Sequence, residues 1–308
     1  MKALQGAEMI LGYVVWGEDE IRHIEAAFSI LSFLCRSDVD EIRVLTDKPD
    51  LYALFRDEPR VNVLNVPSDD FCEWLGKRKF VFRAKIKGIE KLACLYPGED
   101  ILFLDTDTFG GSHVMKVKEC LKNGGFCMHE HYGRMNINQG LGKSRQKAWN
   151  RIKNRNLNGI QVGDDANHWN AGCVGLPGSR AKEVIENVLR INDAILADWE
   201  GTPSNFTEEF AFSMALGAAG KVMDTANFIG HYFKNKSPWQ AAIKRFFTLS
   251  RLRGDTLRQI IEALECFDFK ALPIQTHIPL WRRRINAMTM KMLPDKRIRH
   301  FAEETATF

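Results

Sequence analysis

No stretch of the 308 residues reads as a membrane span. The apolar run Met9–Trp16 falls far short of the roughly 20 residues a span needs, and Glu8 directly precedes it. No signal peptide is evident, so a cytoplasmic protein is expected, either soluble or peripheral at the inner face of a membrane. The seven cysteines are an odd number and form no C-x-x-C pair, which argues against a disulfide framework and a thiolate zinc site. They read as buried thiols in a reducing cytoplasm. Neither G-x-G-x-x-G nor a Walker sequence is present, so neither of those phosphate-binding loops applies. Net charge is only +4, too small to imply a nucleic-acid partner. With 45% apolar and 27% charged residues, collagen-like and disordered classes are excluded. A chain of this length buries a sizeable core without staples, in one large or two small domains.

Charge is unevenly spread. Residues 241–300 hold 13 Lys/Arg against 5 Asp/Glu, a net of +8, which leaves the rest at −4. Along the body, short apolar strands alternate with helical patterns. Met9–Trp16, Glu41–Thr46, Val61–Val66 and Ile101–Leu104 read as strands. Asp19–Cys35 and Phe80–Leu95 read as helices between them. Residues 129–169 are polar and read as an insertion or mobile loop. His168–Leu176 returns to strand, Arg180–Asp198 and Thr207–Leu216 to helix, and Lys221–Met223 to a short strand. The alternation predicts an α/β fold with a mostly parallel central sheet flanked by helices. Ligands then bind beyond the carboxyl ends of the strands. A domain over 1–240 and a basic helical tail over 241–308 are expected.

The most informative segment is Ile101–Gly110, ILFLDTDTFG. Asp105 and Asp107 follow an apolar strand directly. Two carboxylates there repel each other and lose hydration unless a cation joins them. Such oxygens suit Mg²⁺ or Mn²⁺. A bland alternative has one Asp capping the next turn and the other solvated.

Two families share this signature. Haloacid-dehalogenase-type phosphohydrolases attack phosphate with the first Asp, but they carry Thr or Val where this chain has Phe109, and their motif lies near the N-terminus. The segment resembles more closely the Asp-x-Asp motif of nucleotide-sugar glycosyltransferases with the GT-A fold, in the form found in glycosyltransferase family 8, the glycogenin-like and bacterial surface-glycan group. Further segments follow in the family's order over roughly residues 9–240. Phe82–Ile86 supplies Lys85, or its neighbour Arg83, to hold the donor. Trp169–Gly172 resembles the Asn-Ala/Ser-Gly segment, with Asn170 toward the donor sugar and Gly172 allowing close approach. His231–Trp239, HYFKNKSPW, matches the family's spacing at His231, Tyr232, Pro238 and Trp239. It departs from the family at Lys234, where Gly is usual, and at Ser237, where Lys is usual.

The resemblance implies a UDP-hexose donor, an Mn²⁺ or Mg²⁺ ion held by Asp105, Asp107 and His231, and transfer with retention to a glycan or lipid-linked acceptor. Thr106, Lys234 and Lys236 would contact the donor, while Tyr13, Gly17 and Asp47 at strand ends are candidates for base and ribose. Glu208 or Glu209 would touch the reacting sugar or the acceptor. Acidic residues in a helix's first turn are equally well explained by the macrodipole. A phosphohydrolase using Asp105, or a non-catalytic nucleotide-sugar-binding protein, stays as an alternative. The basic tail, with Arg282, Arg283, Arg284, Lys291, Lys296, Arg297 and Arg299 around Trp281, Ile285, Met288, Met292 and Leu293, fits an anionic membrane surface. So does the stretch from Lys244 to Arg253, which carries Phe246, Phe247, Leu249 and Leu252.

Overall fold

The structure, a computed structural model, describes residues 9–36, 39–111, 113–136, 142–197, 199, 201–204, 206–276 and 298–299. Strand β1 (Met9–Val15), helix α1 (Glu20–Leu34), β2 (Glu41–Thr46) and β3 (Val61–Asn65) open the chain. Helices α2 (Ser68–Trp74) and α3 (Val81–Leu95) lead to β4 (Asp100–Leu104) and the short β5 (Thr108–Gly110). Next come α4 (Met115–Lys122), β6 (Phe126–Arg134), α5 (Gly142–Ile152), a small hairpin of β7 (Asn156–Leu157) and β8 (Ile160–Gln161), and β9 (Asn167–Leu176). The remainder is α6 (Ala181–Ala197), α7 (Phe206–Ala219), β10 (Val222–Asp224), β11 (Ile229–His231), α8 (Lys236–Arg253), α9 (Leu257–Glu265) and the pair β12 (Gln275–Thr276) and β13 (Ile298–Arg299).

Seven strands form the central sheet in the order β10-β6-β9-β4-β1-β2-β3. β4, β1, β2 and β3 run parallel, and β9 lies antiparallel between β4 and β6. The sheet is thus mainly parallel and flanked by helices, as the alternation predicts. β1 is apolar on both sides because both faces are covered. Its pleat sends Met9, Leu11, Tyr13 and Val15 into the core under α1, and Val14 and Trp16 onto the opposite core under α3, α6 and α7. Strand order turns back between β1 and β4, so a crevice opens beyond their carboxyl ends, the place where α/β sheets bind ligands.

Three expectations change. Residues 129–169 are not one loop. Residues 129–134 belong to β6, and α5 buries Ala148, Trp149 and Ile152. The strand was hidden because its register against β9 shifts twice, between Met128 and Glu130 and between His131 and Arg134, which breaks the period-two pattern. The expected boundary at 240 falls inside α8, whose Phe246 packs edge-on against Phe28 of α1, with ring centroids 5.9 Å apart. Phe246 and Phe247 are half-buried, whereas Leu249 and Leu252 are exposed. The seven cysteines are free, but only Cys127 and Cys173 are buried, and Cys72, Cys94 and Cys266 are exposed. The tail residues from Trp281 to Arg297 lie outside the described residues, as does the Arg299 side chain. Among the described residues no helix is long and apolar enough to cross a membrane.

Candidate active site at the β4 end

Strand β4 delivers the acidic pair into the crevice. Ile101, Leu102, Phe103 and Leu104 are buried, and the Asp105 N–H extends the ladder by donating to the Gly172 carbonyl at 2.9 Å. The chain then turns into β5, which pairs antiparallel with β11 so that His231 stands opposite Thr108. A bond from the Tyr232 N–H to the Asp107 carbonyl, 3.1 Å, continues that pairing. Two glycines are required for the approach. A Cβ on Gly172 would lie 2.1 Å from the His231 ring, and one on Gly230 would lie 2.1 Å from the Phe109 ring. Gly172 therefore makes room for His231.

One ligand atom each from Asp105, Asp107 and His231 lies within 4.8 Å of the others. Hydrogen bonding fixes the imidazole. The Gly172 N–H donates to Asn170 Oδ1 at 2.9 Å, which identifies that atom as the oxygen. His231 Nδ1, 3.1 Å from the same oxygen, must then carry the hydrogen. In the neutral ring Nε2 is an acceptor, and it faces Asp107 Oδ1 at 3.2 Å. Two acceptors at that distance need a proton or a metal ion between them. With oxygen and imidazole donors converging, the group fits a divalent cation. A histidine that donates its other ring N–H is the usual partner arrangement at metal sites.

Lysines balance the acids. Lys85 Nζ lies 2.9 Å from Asp105 Oδ1 and 2.8 Å from Glu208 Oε1, and also donates to the Ala171 carbonyl. Burial opposes its charge, but Asp105 and Glu208 outweigh it and hold the ammonium above its ordinary range. Lys236 Nζ lies 3.0 Å from Asp107 Oδ2 and 3.6 Å from Glu25 Oε2. Burial would raise the Asp107 carboxyl, yet His231 and Lys236 keep it well below the usual carboxylate range. Glu208 is pushed up by burial to about 8, and Glu209, also by burial, to about 7. Glu209 accepts from Asn170 Nδ2 at 2.9 Å and lies 2.8 Å from His168 Nε2.

A cavity of about 800 Å³ gathers ten of the residues that sequence reasoning proposed: Lys85, Asp105, Thr106, Asp107, Asn170, Gly172, Glu208, Glu209, His231 and Lys236. Others lie elsewhere. Tyr13 is fully buried and bonds Ser29 Oγ at 2.9 Å, because the pleat turns it toward α1; Trp16, on the other face, lines the cavity instead. Arg83 forms a two-pronged pair with Asp193 of α6, 2.7 and 2.9 Å. At about 100° per residue, Arg83 and Lys85 point to opposite sides of α3 and cannot share one site. Lys234 sits 5.0 Å over the rings of Tyr132 and Phe233 and 3.4 Å from Gln275 Oε1, outside the cavity lining. Gly17 and Asp47 bond each other at 3.1 Å beside the crevice, but neither lines the cavity. Sequence reasoning missed Glu25 and His168. Both sit inside elements whose apolar periodicity explains them as core positions.

No family model matches the chain, and no curated protein matches its sequence. Solved structures do. A galactosyltransferase, LgtC, in complex with donor and acceptor sugar analogues is 10% identical, with 90% of this chain covering 99% of that one at a TM-score of 0.52. Mouse xyloside xylosyltransferase 1 is 13% identical, with 71% of this chain covering 86% of that one at a TM-score of 0.46. The chain has the GT-A fold.

Proposed function

We propose that the chain is a metal-dependent glycosyltransferase that moves a hexose from a UDP-sugar to a glycan acceptor. One observation carries the reading. At the ligand crevice of a GT-A fold, Asp105, Asp107 and His231 converge with acceptor atoms facing one another. Those three residues would hold Mn²⁺ or Mg²⁺, and the ion, when bound, supplies Lewis-acid neutralisation of charge on the leaving diphosphate. Lys236, part-exposed in the same cavity, would exchange Asp107 for diphosphate oxygens. Lys85 holds Asp105 and Glu208 in place. Thr106, Asn170 and Gly172 would border the donor, and Gly17 and Asp47 its nucleoside end. We favour retention because the family resemblance implies it; Glu208 Oε1 faces Lys85, and Glu209 has both oxygens bonded. The GT-A fold weighs against the phosphohydrolase alternative.

For the acceptor we favour a lipid-linked or surface glycan presented at an anionic membrane, with residues 241–308 as the contact. The exposed Leu249 and Leu252 beside Arg251 and Arg253 support that choice. Flotation with anionic liposomes tests it, and recovery only in the soluble fraction at low salt would defeat it.

The decisive assay is UDP release from a panel of UDP-hexoses with and without Mn²⁺. Release that depends on Mn²⁺ and disappears in Asp107→Ala is expected. Metal-independent release of inorganic phosphate from phosphomonoesters would overturn the reading.

A further inference from the structure

Behind His231 runs a line of hydrogen bonds whose far end lies in the core. His231 Nδ1 bonds Asn170 Oδ1 at 3.1 Å, Asn170 Nδ2 donates to Glu209 Oε1 at 2.9 Å, and Glu209 Oε2 lies 2.8 Å from His168 Nε2. His168 is fully buried, and its Nδ1 has no hydrogen-bond partner among the described residues. The imidazole hydrogen therefore belongs on Nε2, where it is donated to Glu209. Backbone contacts keep α7 and β9 in step, with the Trp169 N–H donating to Ser213 Oγ at 3.0 Å and that hydroxyl donating to the Glu209 carbonyl at 2.6 Å.

We infer that Glu209, braced by His168, is a positioning residue for His231. It anchors the Asn170 amide, and that amide aims the imidazole Nε2 at Asp107 and the bound ion. The inference rests on the metal reading above. The argument is one of satisfied donors. Asn170 presents an oxygen that takes two N–H groups, from Gly172 and His231, and an NH₂ whose acceptor is Glu209. Remove that acceptor and the buried NH₂ is left unsatisfied, so the amide turns and the imidazole loses its fixed partner. Outer partners of this kind govern metal affinity by about 10- to 100-fold. That positioning role does not depend on the contact with sugar that the sequence resemblance implies.

The test is Mn²⁺ binding to the full chain without donor, read as loss of the free-ion electron paramagnetic resonance signal. Wild type should bind, and Asp107→Ala should not. Glu209→Ala and Glu209→Met should weaken binding about tenfold or more; the Met variant keeps the volume should truncation cost the fold. Glu209→Gln should stay within about threefold of wild type, because its oxygen still accepts from Asn170 while His168 moves its hydrogen to Nδ1 and accepts from the new amide. Unchanged binding in Glu209→Met would overturn the inference while leaving the metal site standing. Equal weakening in Gln and Met would also overturn it, since charge rather than positioning would then be at work. Failure of wild type to bind Mn²⁺ would overturn the metal reading and this inference with it.

Discussion

On the α3 side of the β4 end, Lys85 bridges Asp105 and Glu208 with its side chain 9% exposed; on the α8 side, Lys236 bridges Asp107 and Glu25 with its side chain 41% exposed. The composition is the same, one ammonium between two carboxylates. The consequences differ because burial differs. Lys85 has three partners within reach inside the protein, a hydrogen bond to the Ala171 carbonyl and ion pairs with Asp105 and Glu208. Lys236 has two carboxylates and an open side toward the cavity. The first lysine is a counter-charge beside a buried acid, Glu208, and a half-buried one, Asp105. The second can be given up to a ligand at little cost to the fold.

The largest effect should therefore come from Lys85→Met. It leaves half-buried Asp105 and buried Glu208 without their cation, a loss of up to about 3–5 kcal/mol, the range for removing one partner of a buried pair. Denaturant unfolding should show this loss, and adding Glu208→Leu should recover part of it. Lys236→Met should cost less stability than Lys85→Met, because its ammonium is part-exposed, yet weaken UDP binding about tenfold, or about 1.4 kcal/mol, by calorimetry with Mn²⁺ present. Similar stability losses in both variants would erase the distinction between the two flanks.

These flanks were not equally legible in the sequence. Asp105 and Asp107 stand out because two charges after four apolar residues demand an explanation, and His231 because its spacing to Pro238 and Trp239 follows a known pattern; Lys236 stands one place before the position where that pattern has lysine. The parallel half of the sheet, β1 to β4, was readable because β1 and β4 are compact apolar runs and β3 alternates apolar and polar residues. β6 was not, since its bulges and polar second half erase the alternation. Arg83 and Tyr13 were misplaced for one reason: proximity in sequence says nothing about face, and helix rotation and strand pleat turned both away. Glu25 was invisible because α1 otherwise reads as a core helix. Only the packing of α8 against α1, which brings Gln240 Nε2 to 3.1 Å from its Oε1, reveals its setting.

A medium effect should appear in the pH dependence of the α3 flank. Burial pushes Glu208 from its ordinary 4.5 up to about 8. A carboxyl with a raised folded value binds its proton more tightly when folded. Its contribution is complete below about 4.5 and is lost as pH rises through about 8. His168 works with the opposite sign: burial, then the Arg145 charge, holds it well below 6.5, so its contribution is lost as pH falls. The wild-type curve mixes the two, and the difference from Glu208→Gln isolates the carboxyl. Relative to wild type, Glu208→Gln should gain on the order of 3–4 kcal/mol between pH 5 and 8. Parallel stability curves would mean Glu208 is ionised throughout, held by Lys85 as firmly as Asp107 is held by His231 and Lys236.

The smallest effect probes the α8 flank from behind. Glu25 is 1% exposed, and burial raises its carboxyl above the ordinary range, with Lys236 opposing the shift. Its Oε1 accepts from Gln240, while Oε2 has no hydrogen-bond partner among the described residues and lies 3.6 Å from Lys236 Nζ. Glu25→Gln keeps the volume and removes a poorly compensated buried charge, so the loss of the long ion pair and the relief of desolvation largely cancel. Stability should move by less than about 1 kcal/mol. Lys236 then has one internal claimant, Asp107, and a bound metal ion would engage that one. The ammonium is released more completely to the diphosphate, and UDP should bind the Mn²⁺-loaded variant up to about threefold more tightly, or about 0.6 kcal/mol. If UDP binding instead weakens about tenfold, as in Lys236→Met, Glu25 holds Lys236 in its working position, and internal pairing binds the α8 flank as firmly as the α3 flank.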